Sequence, residues 1–109
     1  MIKTKLNDKN RILFEKIIED ATVDCKDEDE QISGWECILG DNITTPCKCR
    51  VGKEGAILNE IRQDEHSPFI LGIIEINKKK IRTPIEDIFL EDSESMIFID
   101  AYKYWRENG

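Results

Sequence analysis

Leu39-Gly40-Asp41-Asn42-Ile43-Thr44-Thr45-Pro46-Cys47-Lys48-Cys49-Arg50-Val51 is the stretch on which the fold turns. Before it, apolar residues recur at helical spacing; after it, they alternate with polar ones. Upstream, Ile32, Trp35, Ile38 and Leu39 form one stripe of a helix expected from about Asp27 to Leu39. Asp27 with Glu30 makes a capping-box-like start, and the run Asp27-Glu28-Asp29-Glu30 lies where the helix dipole is positive. Gly40 is the expected stop, with Asp41-Asn42 as the following loop. Earlier still, Phe14, Ile17, Ile18 and Ala21 fall at i, i+3, i+4 and i+7 of a helix over residues 9–21, capped by Asn7 or Asp8 and broken at residues 23–26.

Downstream, Cys47, Cys49 and Val51 face one way and Lys48 and Arg50 the other, the period of a half-buried strand. Gly52-Lys53-Glu54-Gly55 turns the chain into a second strand over residues 56–61, and residues 62–68 form a polar loop. The apolar run Phe69 to Ile76 is expected to be the central strand. Asn77-Lys78-Lys79 turns into a fourth strand over residues 80–83, where Pro84 limits pairing. Phe98, Ala101, Tyr102 and Trp105 mark a closing helix capped by Ser93 or Ser95. Four short strands joined by tight turns predict a small, strongly curved, barrel-like sheet. The expectation is one α+β domain over residues 1–109, with a helical part at 9–40, a β-barrel at 46–90 and a C-terminal helix at 96–107.

Composition narrows the function. The chain has 109 residues, enough for one core. Charged residues make up 36%, above the usual quarter or so. Acids outnumber bases 23 to 16, for a formal charge of -7, which disfavours phosphate backbones and anionic membranes and suits cations or a basic partner. No stretch approaches the roughly 20 apolar residues of a membrane span. Met1 to Asp8 carries no apolar export signal, so a cytoplasmic protein with reduced thiols is expected.

Catalysis finds no foothold. The single histidine, His66, lies in Asp64-Glu65-His66-Ser67-Pro68, a turn-like segment too local for a triad. No enzyme activity is expected. The four cysteines are separated by 11, 9 and 1 residues, so no CxxC clip for zinc exists, and Cys37, Cys47 and Cys49 read as small core residues. Lys78-Lys79-Lys80 lacks interleaved aromatics and reads as a solvated turn.

Carboxylates are the surplus. Calcium takes six to eight oxygens, several of them ionised. The EF-hand pattern fails: counted from Asp27, Ile32 stands where the loop needs glycine. A site must draw on separate segments, with Asp20 and Asp24 at the helix break, Asp41 with Asn42, and Glu86, Asp87, Glu91, Asp92 and Glu94 before the last helix as candidates.

The order of these segments resembles the CcbP-type calcium-binding proteins, a small bacterial family. Carrying the likeness are Ile17-Ile18-Glu19-Asp20-Ala21, the acid run leading to Gly34-Trp35, Leu39 to Cys49, Thr83-Pro84-Ile85 and Tyr102-Lys103-Tyr104-Trp105. The likeness spans nearly all of residues 11–106. Departures are Gly40 in place of an acid, Thr45 and Cys47 in place of phenylalanines around the proline, and extra residues near Val23 to Lys26.

The resemblance implies an SH3-like β-barrel with two N-terminal helices and a C-terminal helix, and calcium held by surface acids without an EF-hand. It carries over Asp41 first. The functional expectation is a calcium buffer or sensor with Asp41, Asp20, Asp24, Asp87, Glu91 and Asp92 as metal candidates. A protein-interaction module using Trp35, Tyr102 or Trp105 as exposed anchors is the second expectation. Calcium is the expected ligand, a protein a further partner, and nucleic acid and membrane are not expected.

Overall fold

A computed structural model describes residues 8–23 and 25–108. Helix α1 spans Asp8–Thr22 and α2 spans Glu28–Asn42; strands β1 Cys47–Val51, β2 Glu54–Gln63, β3 Ile70–Ile76 and β4 Lys79–Pro84 follow. A 3-10 turn, Ile85–Asp87, leads to β5 Ile88–Leu90, and α3 closes the chain over Ser93–Asn108.

The helix α2 starts as its first residues dictate. Asp27 sits in extended backbone and its carboxylate accepts from the Glu30 amide at 2.8 Å. Glu30 in turn accepts from the Lys26 amide at 2.9 Å, so two amides at the helix entrance are satisfied by side chains. Its far end differs from the expected stop at Gly40. The helix runs on to Asn42, where the Asn42 side chain donates to the Ile38 carbonyl and the Ile43 amide to the Leu39 carbonyl. Gly40 keeps an ordinary backbone conformation, so it brings no left-handed stop. Asp41 is therefore helical and not in a loop.

All pairings in the sheet are antiparallel, in the order β4-β3-β2-β1-β5. Two hairpins rest on two-residue turns. Gly52, at φ +62°, supplies the first between Val51 and Glu54; Asn77 and Lys78, both at positive φ, supply the second between Ile76 and Lys79. A bulge between Leu58 and Glu60 bends β2. The sheet is open: β4 and β5 form its two edges, and the expected closed barrel is corrected to that extent. β2, not the apolar β3, is the central strand, and Phe69 lies outside the strand and exposed. β5, three residues long, was too short to leave a period in the sequence.

One hydrophobic core joins the helices to the sheet, with Ile32, Trp35, Leu39, Leu58, Ile74 and Tyr102 fully enclosed. Trp35 meets Tyr102 edge-on at 5.4 Å and Trp105 at 5.7 Å. Trp35 and Tyr102 are 0% exposed and Trp105 half-buried, so these rings are core residues and not exposed anchors. Cys49 is buried and Cys47 half-buried, but Cys37 is exposed, off the Ile32–Trp35–Leu39 stripe. Gly34 lets α2 press on α1: a Cβ there would collide with the Ala21 carbonyl. The Gln63 amide donates to the Glu36 carboxylate, and Arg106 donates to the Pro68 carbonyl at 2.9 Å. Both bonds fasten the end of β2 and its loop to the helices.

Candidate cation site

The candidate acids occupy the ends of elements. Asp41 is exposed in the last turn of α2, where no basic residue stands. Four carbonyls at a helix C-terminus lack intrahelical partners and carry the negative end of the dipole. The acid there adds charge of the same sign. Asp20 is exposed in the last turn of α1, which also has no basic residue. It rims a cleft of about 270 Å³ between α1, α2 and α3, beside Lys16 and Asn42, over Ile17, Ile38 and Phe98. Asp41 thus directly precedes a residue of the cleft that Asp20 borders.

Asp87, Glu91 and Asp92 are not among the residues that line this cleft. Asp24 falls outside the described residues. Asp87 is exposed in the 3-10 turn and Glu91 is exposed just after β5. Asp92 caps α3, a role expected of Ser93 or Ser95: it accepts from the Glu94 amide at 3.2 Å and the Ser95 hydroxyl at 2.7 Å. Among the described residues, no three His, Cys, Asp or Glu side chains converge tightly enough to hold a metal by themselves. Asp41 and Asp20 fit a hard cation in their chemistry, as exposed oxygens at negative helix ends. Backbone carbonyls and water would have to complete a shell of six to eight.

Four other titratable groups have structural explanations. Asp64 accepts from the Ser67 hydroxyl and the His66 amide, and these bonds hold its carboxyl below the usual range. The Asp64–His66–Ser67 trio is thus a self-contained turn. Burial pushes the Cys47 thiol up, with the Asp92 carboxylate adding to it; burial, then Cys47, does the same for Cys49. Tyr102 is pushed up to about 12, first by burial and then by Glu86.

Arg106 went unread in the sequence. Its guanidinium lies 4.5 Å from the Phe69 ring centre and 4.0 Å from Glu28, and it lines a second cleft of about 450 Å³ with Glu28, Gln31 and Trp105. The signal was one cation after an aromatic pair, which sequence spacing cannot connect to a loop 38 residues away.

Two solved structures share this architecture. The crystal structure of Anabaena CcbP aligns with a TM-score of 0.74 at 18% identity, covering 97% of this chain and 95% of that one. A calcium-binding protein in its calcium-binding form aligns with a TM-score of 0.78 at 16% identity, covering 100% and 98%. At such identities the likeness establishes the fold. No curated protein matches the sequence. A family model described as calcium binding, that of the CcbP proteins, matches residues 15–106. By that match the chain belongs to the CcbP family of calcium-binding proteins.

Proposed function

We infer that this protein binds calcium through carboxylates at helix ends, without an EF-hand, and that Asp41 is the principal ligand. The observation that carries the assignment is the position of Asp41: an exposed acid in the last turn of α2, a turn that holds no basic residue. Such a placement costs stability in the free protein and is relieved by a bound cation. Asp20, bordering the adjacent cleft, is the first helper. Asp24, Asp87 and Glu91 are further candidates, and Asp92 is a weaker one because both its oxygens already serve the α3 cap.

The task is binding and not catalysis, as a buffer or sensor working in the cytoplasm with a protein partner downstream. The sheet is read as an SH3-like barrel left partly open. Support comes from the bulged, bent β2 and the short 3-10 link from β4 to β5.

Calorimetric titration with calcium and with magnesium tests the assignment, alongside thermal unfolding with and without calcium. A site with a Kd near 10 μM would gain about 2.7 kcal/mol of stability at about 1 mM calcium. Asp41→Asn should remove most of the heat and most of that gain. Absence of heat and of stabilisation in the unmodified protein at about 1 mM calcium would refute the assignment.

A further inference from the structure

The calcium reading leaves one pair of chemically active side chains unused, Cys47 and Cys49 of β1. Two residues along a strand return to the same face. The burial of β1 agrees: Cys49 is 2% exposed and Cys47 half-buried, while Lys48 and Arg50 between and beyond them face solvent. Both thiols thus lie on the inner side of the sheet.

Strand geometry decides what this pair can do. Residues two apart are separated by roughly 6.6 Å along the strand, whereas a disulfide wants its Cβ atoms within roughly 4.5 Å. The thiols therefore cannot bridge each other without breaking the β1 pleat. They can turn toward a shared ion, since two metal–sulfur bonds of roughly 2.3 Å span roughly 4.6 Å.

The surroundings select the ion. Cys49 faces Leu90 across the β1–β5 pairing, and the Asp92 carboxylate just beyond β5 is near enough to act on the Cys47 thiol. Asp92 has both oxygens committed to the α3 cap. No third ligand completes a cluster there, as none of the described residues forms a group of three. A four-ligand zinc shell thus finds no third side-chain ligand at this spot among the described residues. What remains is an ion satisfied by two thiolates, and soft sulfur ligands favour the cuprous class.

We propose that Cys47 and Cys49 form a two-coordinate site for a soft monovalent cation such as Cu(I). Binding converts two thiols and one Cu(I) into a bis-thiolate complex of charge -1 with release of two protons; no electron moves. Burial and the Asp92 carboxylate both oppose charge on Cys47, so the cation itself must draw off the protons. Half-buried Cys47 gives the ion access from solvent, and buried Cys49 anchors it.

The test is an anaerobic titration of the reduced full chain with Cu(I) held by a chromogenic chelator, with X-ray absorption on the loaded protein. One equivalent should leave the chelator and show two sulfur neighbours. Cys47→Ser and Cys49→Ala should each lower affinity roughly 100-fold or more, a first-ligand loss at least as large as outer-shell losses. Alanine at 49 keeps a small apolar residue in the core, and circular dichroism confirms the fold. Cys37→Ser, on the exposed side of α2, should change nothing. Failure to compete with the chelator, retention of the ion in the Cys47→Ser, Cys49→Ala double variant, or its loss on Cys37→Ser would overturn the proposal. Calcium binding is untouched by any of these outcomes, since it rests on other residues.

Discussion

The two ends of α2 carry the same kind of residue for opposite reasons. At the first, Asp27, Glu28, Asp29 and Glu30 face the positive pole of the helix, and Asp27 and Glu30 hold amides at 2.8 and 2.9 Å. Those acids repay the fold. At the second, Asp41 sits on the negative pole with no amide to hold and no base in the turn. Acid content alone therefore says little about a cation site; the sign of the local dipole says which acids are spare. The same test sorts the rest of the molecule, since Asp92 at the start of α3 is a cap and Asp20 at the end of α1 is not.

The comparison can be broken most forcefully at the middle of the helix. Gly34→Ala would drive a methyl group into the Ala21 carbonyl, costing about 3 kcal/mol or more and unseating both ends together. Denaturant unfolding measures the loss, and the calcium response should weaken with it.

A control lies away from both ends, at Tyr102. Its folded pKa of about 12 exceeds the ordinary value of 10, so the folded state holds the proton more tightly. The corresponding stability is complete below pH 10 and disappears as the pH rises toward 12, a change of roughly 2 kcal/mol. Tyr102→Phe should flatten the alkaline slope of unfolding free energy and leave calcium binding unchanged.

The ends themselves are then compared directly. Asp27→Ala removes the cap and should lower stability by about 1 kcal/mol, with the calcium isotherm unaltered. Asp41→Asn should do the reverse: raise the stability of the calcium-free protein by about 0.5 kcal/mol while suppressing the calcium-dependent gain. Thermal unfolding of both variants, with calcium and with chelator, supplies the four numbers. Equal behaviour of the two variants would show that the ends do not differ.

How far the sequence could be read follows the same divide between local and distant causes. The start of α2 was legible because a cap acts over three residues, and both hairpins because Gly52 and the Asn77-Lys78 pair announce tight turns. The end of α2 is less legible, because Gly40 suggests a stop that the backbone does not take. Continuation depends on the Asn42 side chain reaching Ile38. The apolar run of β3 suggests a central strand, but that run reflects cover by the core and not a count of neighbouring strands. Nearness to Trp35 in sequence suggests a core place for Cys37, but two residues along a helix is just over half a turn, which puts it on the opposite, exposed face.

For the site, residue type was legible and assembly was not. Asp41 could be singled out as a position, but its helical setting, the cleft beside Asp20 and the capping duty of Asp92 arise from packing across the chain. Resemblance supplied the calcium reading that spacing alone could not, and the family match over residues 15–106 bears it out.

The exposed margin of the sheet at β4 carries Lys79, Lys80 and Arg82, with Pro84 at its end. Two molecules meeting margin to margin would set these cations against one another, and the proline offers no amide to a neighbour. The β4 margin is thereby a poor template for a strand from a second copy.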